Sequence, residues 1–368
     1  MSAKNDFPFT IIDVANVLNL TIRHERHGSI DVDCPFCGDK VGKLNLNLAK
    51  DVYRCNRCEE FGGMTQLYAK VHGVSNQEAY RAICQLADAG KKNPSQTKRS
   101  YDSKKKPEPA ARADVHTIHQ TYAMLLSLLA LAKPHQENLK QRGLDDYDIL
   151  NHRFKSIPAY GQKGLCKQLI KSGCTLEGVP GFYQEKDGEW NVTLKASGII
   201  IPIVGIDGLI SGAQIRLDKP INDRKYIWLS SADMLKGAGS GSPAHFVGDP
   251  TAERVFLTEG ALKGVITHSI AGHSVVSIPG VNATRSLDSL LLRLKQNGVR
   301  TVVEALDLDK FDNKNVQKAA SKLRDKIGAM GLEVLVAVWN KDYNGVDDYY
   351  RFRRSERENY IYSADVAV

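Results

Sequence analysis

The sequence predicts a multidomain protein of the α+β and α/β classes. It is expected to have an N-terminal zinc ribbon, a mixed α+β middle region and a C-terminal α/β domain built on a parallel sheet. Three observations lead to this prediction. Two Cys-x-x-Cys pairs stand in residues 34–58, strand patterns occupy residues 198–228, and apolar strands alternate with helical runs after residue 251. The last pattern is typical of βαβ units, which form parallel sheets.

Length and composition limit the class of protein. The 368-residue chain is long enough for two or three domains, and 50 basic against 42 acidic side chains give a net charge of +8. That charge is compatible with a polyanionic partner. No apolar run approaches the ~18 residues of a membrane span, and the N-terminus lacks the layout of a signal peptide, so we expect a cytoplasmic protein without a membrane partner. No G-x-x-x-x-G-K-[ST] motif occurs, which excludes a P-loop motor.

Residues 1–88 are predicted to form a zinc-binding domain. The two pairs are Cys34-x-x-Cys37 and Cys55-x-x-Cys58. The intervening residues 38–54 match the spacing of zinc sites with two such pairs, and four thiolates close a tetrahedral site, so we expect one structural Zn²⁺. Residues 44–48 and 52–55 have the alternation of a hairpin. The alternative, four buried or redox-active cysteines, leaves the spacing unexplained. Three further cysteines lack such spacing and are predicted to be free thiols: Cys84, Cys166 and Cys174.

Capping patterns mark the helices of this domain. Thr10 is a predicted N-cap, Gly73 is a predicted C-cap, and Ser75 with Glu78 has the spacing of a capping box. The following residues, 89–113, are polar, contain prolines and carry eight basic against two acidic side chains. This composition predicts a flexible basic linker, which either contacts a phosphate backbone or serves as a solvated spacer.

Residues 114–250 are predicted to form a mixed α+β region. Helical patterns over residues 114–130 and 135–140 precede three strands, at residues 198–203, 208–216 and 223–228. The last strand carries basic and aromatic side chains. This combination suits a single-stranded nucleic acid, because the backbone is anionic and bases stack on rings. Ordinary sheet packing is the alternative role for Tyr226 and Trp228.

Carboxylates follow the strand patterns of the predicted C-terminal domain, residues 251–368. Glu259 ends one strand pattern, and Asp307 and Asp309 follow another. Ligands bind outside the carboxyl ends of parallel strands, so we expect these side chains to gather at one edge of the sheet. Hard oxygen ligands of this kind suit Mg²⁺. A further acidic segment, residues 342–348, follows the next strand pattern.

Taken together, these residues resemble a bacterial DnaG-type DNA primase, over nearly the whole chain. The cysteine pairs and the Gly62-Gly63 turn are similar to the family's zinc-binding domain. Four segments of residues 114–250 are similar to its amino-terminal catalytic subdomain, which binds the template: residues 138–144, 200–203, 214–216 and 225–226. The C-terminal pattern, a Glu after one strand and Asp-x-Asp after another, is similar to the Toprim domain shared with topoisomerases and some nucleases.

The resemblance implies a role for each matching residue. Glu259, Asp307 and Asp309 are expected to be catalytic and to bind Mg²⁺ or Mn²⁺, with Asp347 as a further magnesium ligand. Four residues are expected to contact the single-stranded DNA template: Arg142, Arg216, Lys225 and Tyr226. Ribonucleoside triphosphates are the expected substrates. Residues 349–368 leave no room for the helicase-binding domain that cellular members carry. A separate replicative helicase remains an open alternative as a partner.

Three positions depart from the family pattern. The family often has Asp where this chain has Lys263. Its last acidic motif, usually Asp-Pro-Asp after a Gly, here reads Gly345-Val-Asp-Asp348. Cys37 stands where cellular members commonly have His, as it does in some phage primases, which favours a phage or mobile-element origin.

The predicted function is the synthesis of short RNA primers on single-stranded DNA for DNA replication, by metal-dependent nucleotidyl transfer. The acidic cluster alone suits the cutting of DNA equally well. The zinc ribbon and the middle region favour synthesis, no segment for a topoisomerase's nucleophilic tyrosine is visible, and the ATPase that usually accompanies a Toprim nuclease is absent. The alternatives are a Toprim-type metal-dependent nuclease and a non-catalytic zinc-ribbon protein of a mobile element that binds single-stranded DNA.

Overall fold

A computed structural model describes residues 7–26, 28–90, 110–194, 196–221, 224–281, 286–307, 314–340 and 342–357. The chain divides into two compact units, unit 1 (Met1–Asp102) and unit 2 (Ser103–Val368). Each unit has its own hydrophobic core. Most of the predicted linker, residues 91–109, lies outside the described residues.

Unit 1 is a five-stranded antiparallel sheet with three helices. The helices are α1 (Ile11–Val17), α2 (Met64–His72) and α3 (Asn76–Gly90). The strands are β1 (Ile22–Arg26), β2 (Ser29–Val32), β3 (Leu44–Asn47), β4 (Val52–Cys55) and β5 (Phe61–Gly63), and they neighbour one another in chain order. The predicted hairpin is confirmed as β3 and β4, with Leu44 opposite Cys55 and Asn47 opposite Val52. The sequence analysis missed β1, β2 and β5.

The predicted caps explain where the helices of unit 1 begin and end. Thr10 Oγ1 accepts from the Asp13 N–H at 3.4 Å, and Asp13 Oδ2 accepts from the Thr10 N–H at 2.7 Å, which completes a capping box. Ser75 and Glu78 make the same reciprocal pair at 2.9 and 3.3 Å, so α3 begins directly after Ser75. Gly73 ends α2 in the left-handed region, with φ of 68°.

Unit 2 begins with helices and an antiparallel sheet. The helices are α4 (Val115–Leu128), α5 (Lys133–Gln141), α6 (Asp146–Asn151) and α7 (Gln162–Lys171). The strands are β6 (Lys155–Ser156), β7 (Phe182–Gln184), β8 (Trp190–Val192), β9 (Gly198–Val204), β10 (Ile210–Ile221) and β11 (Arg224–Trp228). The sheet order is β11-β10-β9-β6, and β7 and β8 form a separate hairpin. Helices α4 and α5 and the three longer strands confirm the prediction, whereas β6, β7 and β8 are too short to show a period in sequence.

The second sheet of unit 2 is the predicted α/β sheet. Its strands are β12 (His245–Val247), β13 (Arg254–Glu259), β14 (Ser274–Ile278), β15 (Thr301–Glu304) and β16 (Glu333–Val336). Their order is β12-β14-β13-β15-β16, with β12 antiparallel to β14 and the other four strands parallel. The helices are α8 (Ala261–Ala271), α9 (Leu287–Gln296), α10 (Lys314–Ala329) and α11 (Val346–Arg357). The parallel sheet is confirmed, and β12 and α11 are additions.

The strand order opens a crevice at the carboxyl ends of β13 and β15. From β13 the chain passes through α8 to β14 on one side, and then through α9 to β15 on the other side of β13. The connection that leaves β15 runs through Lys314–Ala329 to β16, on the side away from β14. Because the connections that leave the adjacent strands β13 and β15 run to opposite sides, their loops diverge and a crevice forms between the two strand ends. Glu259 is the last residue of β13, and Asp307 follows β15 by three residues. Both therefore stand at this crevice.

Helix α8 is packed between the two sheets of unit 2. Its buried apolar residues Leu262, Val265 and Ile266 share a cluster with Ile199, Ile201 and Ile203 of β9. On the other side, a Cβ on Gly264 would collide with Ser277 Oγ of β14, so glycine permits the close approach of helix and strand. This packing fixes the first turn of α8, which carries Lys263, against the crevice.

No helix in the described part of the chain has by itself the length and apolar character of a membrane span. Helices α4 and α5 reach that length and composition only when taken together, and they are bent by 111° at the break between them. The apolar face of α4, with Ile118, Tyr122 and Leu125, is buried in the first core of unit 2.

Candidate active site and zinc centre

Unit 1 contains a cysteine cluster whose geometry fits zinc. The Sγ atoms of Cys34, Cys37, Cys55 and Cys58 all lie within 4.8 Å of one another. Two of these distances are 3.8 Å, from Cys34 to Cys58, and 3.9 Å, from Cys37 to Cys55. A tetrahedral site with Zn–S bonds of ~2.3 Å has S···S edges of about 3.8 Å. Backbone N–H groups of Arg57 and Cys58 also donate to Cys55 Sγ, at 3.4 and 3.5 Å. The cluster therefore fits one structural Zn²⁺.

A buried aspartate that the sequence analysis did not single out holds the loop after the first cysteine pair. The Asp39 side chain is 1% exposed. Its Oδ2 accepts from the backbone N–H groups of Val41 and Lys43 at 3.1 and 2.8 Å. Arg57 Nη1 lies 3.4 Å from its Oδ1, so Asp39 also ties the first cysteine pair to the second. An acid in a glycine-rich turn is the signal that could have predicted this role.

Two of the acidic residues predicted at the sheet edge, Glu259 and Asp307, stand at the same crevice, but the described carboxylates do not surround a common point. Glu259 ends β13, Asp307 follows the neighbouring strand β15, and Asp309 lies outside the described residues. Within the described ranges, the cysteines alone bring three or more His, Cys, Asp or Glu ligand atoms within 4.8 Å of one another. The space between the described carboxylates is occupied by a lysine.

Lys263 is that lysine. Its Nζ forms an ion pair with Asp307 Oδ1 and lies 4.0 Å from Asp347 Oδ1, and its side chain is 17% exposed. Burial disfavours the ammonium, but the carboxylates of Asp307 and Asp347 outweigh burial and raise the pKa of Lys263 above its usual value. Glu259 contributes in the same direction. Gly345 leaves room for this arrangement, because a Cβ there would lie 2.7 Å from Lys263 Nζ.

Asp347 reaches the crevice from the first turn of α11, an element that the sequence analysis did not predict. Its side chain is 8% exposed, and its Oδ1 has no hydrogen-bond partner among the described residues. Burial raises the pKa of Asp347 above its usual range, and the Lys263 ammonium offsets this only in part. Asp347 is therefore a buried carboxyl group whose facing cation is Lys263.

Basic side chains adjoin the acidic residues. Burial, followed by the like charge of Arg216, lowers the pKa of Arg142, and Tyr226 and Asp347 act on the same guanidinium. The Arg142 side chain donates a hydrogen bond to Asn138 Oδ1 at 3.3 Å. In the part of the chain that is described, Arg216 makes no side-chain hydrogen bond or ion pair. Two neighbouring guanidinium groups with so few acidic partners have the charge and the hydrogen-bond donors that suit an anion.

The sheet separates the predicted template residues into two faces. Arg216 of β10 is directly opposite Tyr226 of β11, so the two side chains share a face. Tyr226 packs with the cluster around α8, whereas Ile227 packs with the first core. Because side chains alternate along a strand, Lys225 lies on the face of Ile227 and away from Arg216. Arg224 is the basic residue of β11 on the same face as Tyr226, and the sequence analysis did not single it out.

Comparisons with known proteins show the fold. A family model described as a domain of unknown function, DUF3854, matches residues 247–352. A sequence search among curated proteins finds no match. Among solved structures, the chain is similar to the zinc-binding and RNA polymerase domains of the Aquifex aeolicus primase. The TM-score is 0.52 at 16% identity, over 94% of this chain and 81% of that one.

Two further solved structures belong to the same group. The RNA polymerase domain of Mycobacterium tuberculosis primase DnaG, in complex with double-stranded DNA, matches 64% of this chain and 79% of its own, with 18% identity and a TM-score of 0.49. A DnaG primase catalytic domain bound to single-stranded DNA matches 66% and 78%, with 16% identity and a TM-score of 0.46. The Aquifex aeolicus likeness extends over both units, and the predicted DnaG-type primase fold is confirmed.

Proposed function

We propose that this chain is a DNA primase that synthesises short RNA primers on single-stranded DNA. The observation that carries the proposal is the position of Arg142, whose guanidinium group interacts electrostatically with Arg216, Tyr226 and Asp347. A cationic and aromatic surface for a nucleic acid thus adjoins the carboxylates that suit phosphoryl chemistry. The shared primase fold supports the same conclusion.

In this proposal the two groups of residues have different tasks. Arg142 and Arg216 hold the template backbone, and Tyr226 stacks with a base. Glu259 and Asp307 are hard oxygen donors at a sheet crevice, and donors of this kind suit one Mg²⁺ or Mn²⁺. Asp309, which lies outside the described residues, is expected to supply a further oxygen ligand. Such an ion, when bound, neutralises triphosphate charge and orients the attacking 3′-hydroxyl group. The substrates are ribonucleoside triphosphates, and the C-terminal α/β domain is a Toprim domain.

The test of this function is primer synthesis by the zinc-loaded full chain. Labelled ribonucleotides, Mg²⁺ or Mn²⁺ and single-stranded DNA of mixed sequence are incubated with the protein, and the products are resolved by length. We expect short, template-dependent RNA. Nicking of DNA without added nucleotides would instead identify a nuclease. A chain that neither makes primers nor nicks DNA, and that still binds single-stranded DNA after all the acidic residues of the site are replaced, would be a non-catalytic binding protein.

The assignment of the template face gives a second prediction. The logarithm of the DNA-binding constant falls as the logarithm of the salt concentration rises. For single-stranded DNA, Arg216→Gln is expected to make this slope less steep by about 0.7, because one phosphate contact is lost. Lys225→Gln is the matched control, since Lys225 is exposed on the other face of the same hairpin, and its slope should equal that of the wild type. Binding titrations at several salt concentrations measure both. If Lys225→Gln reduces the slope and Arg216→Gln leaves it unchanged, the DNA runs along the face of the hairpin that carries Lys225.

A further inference from the structure

The Lys263 ammonium lies beside carboxylates that are expected to bind divalent cations. We propose that the Lys263 ammonium is a resident cation of the crevice, which takes the place of a second divalent ion beside Asp307 and Asp347. The inference rests on the proposed function only in so far as that function requires a divalent ion at the same crevice.

The charges support a single divalent ion. The three described carboxylates of the crevice, Glu259, Asp307 and Asp347, would carry a charge of −3 when ionised, and all three act on the Lys263 ammonium. The ammonium neutralises part of this negative charge before any divalent ion binds. A second divalent ion at Asp307 and Asp347 would have to approach a fixed positive charge, at a cost that rises as the site excludes water.

The position of Lys263 is built into the fold. Its helix is packed between two sheets, and its side chain is 17% exposed, so the ammonium has little room to leave the crevice. Gly345 supplies the space that Nζ occupies. Asp347 Oδ1 is buried and lacks a hydrogen-bond donor among the described residues, and Lys263 Nζ is 4.0 Å away. A buried carboxylate needs a nearby cation, and here the protein provides one.

Replacing Lys263 with aspartate should therefore create a site for one more divalent ion. Mn²⁺ binding is counted by electron paramagnetic resonance on the zinc-loaded chain, because Mn²⁺ prefers oxygen ligands and does not compete for the thiolates. We expect about one Mn²⁺ per wild-type chain and about two per Lys263→Asp chain. Lys326→Asp is the control. Lys326 of α10 pairs with Asp288 of α9 at 2.7 Å, so Lys326→Asp reverses a charge on these helices instead of at Lys263. This variant should bind the same number of Mn²⁺ ions as the wild type.

A neutral substitution provides a second readout that does not depend on a new ligand. Lys263→Gln removes the ammonium, so the remaining carboxylates repel one another until a divalent ion binds. The rise in melting temperature on adding Mg²⁺ should be about 2–4 °C larger for this variant than for the wild type. Calorimetry in chelator-free buffer measures the rise while the zinc site stays loaded.

The outcomes separate this inference from the proposed function. Equal Mn²⁺ counts for the wild type and Lys263→Asp would overturn the inference, even if the chain makes primers. Two Mn²⁺ ions per wild-type chain would also overturn the inference. A gain of one ion in Lys263→Asp by a chain that makes no primers would support the resident cation and contradict the proposed function.

Discussion

Replacing Asp307 with asparagine is expected to lower primer synthesis by at least about 100-fold while single-stranded DNA binding is retained. The asparagine side chain has nearly the same shape as aspartate but no charge, so it would neither attract a divalent ion nor balance Lys263. The transition state of phosphoryl transfer gains several kcal/mol from a positioned metal ion, and every ~1.4 kcal/mol is a factor of ten in rate. The measurement is the initial rate of ribonucleotide incorporation on a fixed template at saturating Mg²⁺.

The control for this variant is Asp325→Asn, an equal change of charge at an exposed position of α10. Its rate should match the wild type. The thermal unfolding of both variants is measured alongside, because Asp307 is the ion-pair partner of Lys263 and a loss of folding would lower the rate by another route. A folded Asp307→Asn protein with wild-type synthesis would remove Asp307 from the site. A proportional loss of DNA binding would mean that Asp307 acts on the template surface.

Strand ends are the part of the site that the sequence predicts best. The apolar runs before Glu259 and Asp307 are long enough to mark β13 and β15, and a parallel sheet brings their carboxyl ends to one edge. The apolar pattern in the sequence runs from Thr301 to Leu306, whereas β15 ends at Glu304. That difference moves no residue away from the crevice, because the intervening residues still leave the sheet at the same edge.

The partner of Lys263 could not be read from the sequence. Asp347 is far along the chain and reaches the crevice on α11, whose start depends on the path of the residues after β16. Local propensity places Asp347 in an acidic loop, and only tertiary packing brings it beside α8. The family resemblance alone implied a magnesium ligand at Asp347, and it carried no information on the ammonium group that lies 4.0 Å from this carboxylate.

The face of a strand was equally hard to predict at β11. Alternation separates Arg224, Tyr226 and Trp228 from Lys225 and Ile227. Both sets meet apolar clusters, Tyr226 and Trp228 on one side and Ile227 on the other, so hydrophobicity does not mark one face as the core. The pairing with β10, which sets Arg216 opposite Tyr226, is long-range information that only the fold supplies.

Removing zinc is expected to unfold unit 1, and Cys55→Ser is expected to have the same effect. Cys55 is fully buried and lies in strand β4, where it connects the cluster directly to the antiparallel sheet. Structural zinc sites contribute an apparent ~10–16 kcal/mol of binding free energy, which exceeds the stability of a small domain. The variant should bind no zinc by elemental analysis, and limited proteolysis should cut within residues 7–90 while unit 2 remains intact.

Cys84→Ser is the matched control, because Cys84 lies in the same unit, packs at the edge of the same core and is not part of the four-cysteine cluster. It should retain one zinc per chain and resist proteolysis as the wild type does. A Cys55→Ser chain that keeps the fold of unit 1 without metal would mean that the four cysteines are packed thiols and that the short Sγ distances arise from core packing. Equal zinc loss in both variants would instead point to a general destabilisation of unit 1. The pair of variants therefore separates ligation from packing, the two explanations that the spacing of the cysteines first raised.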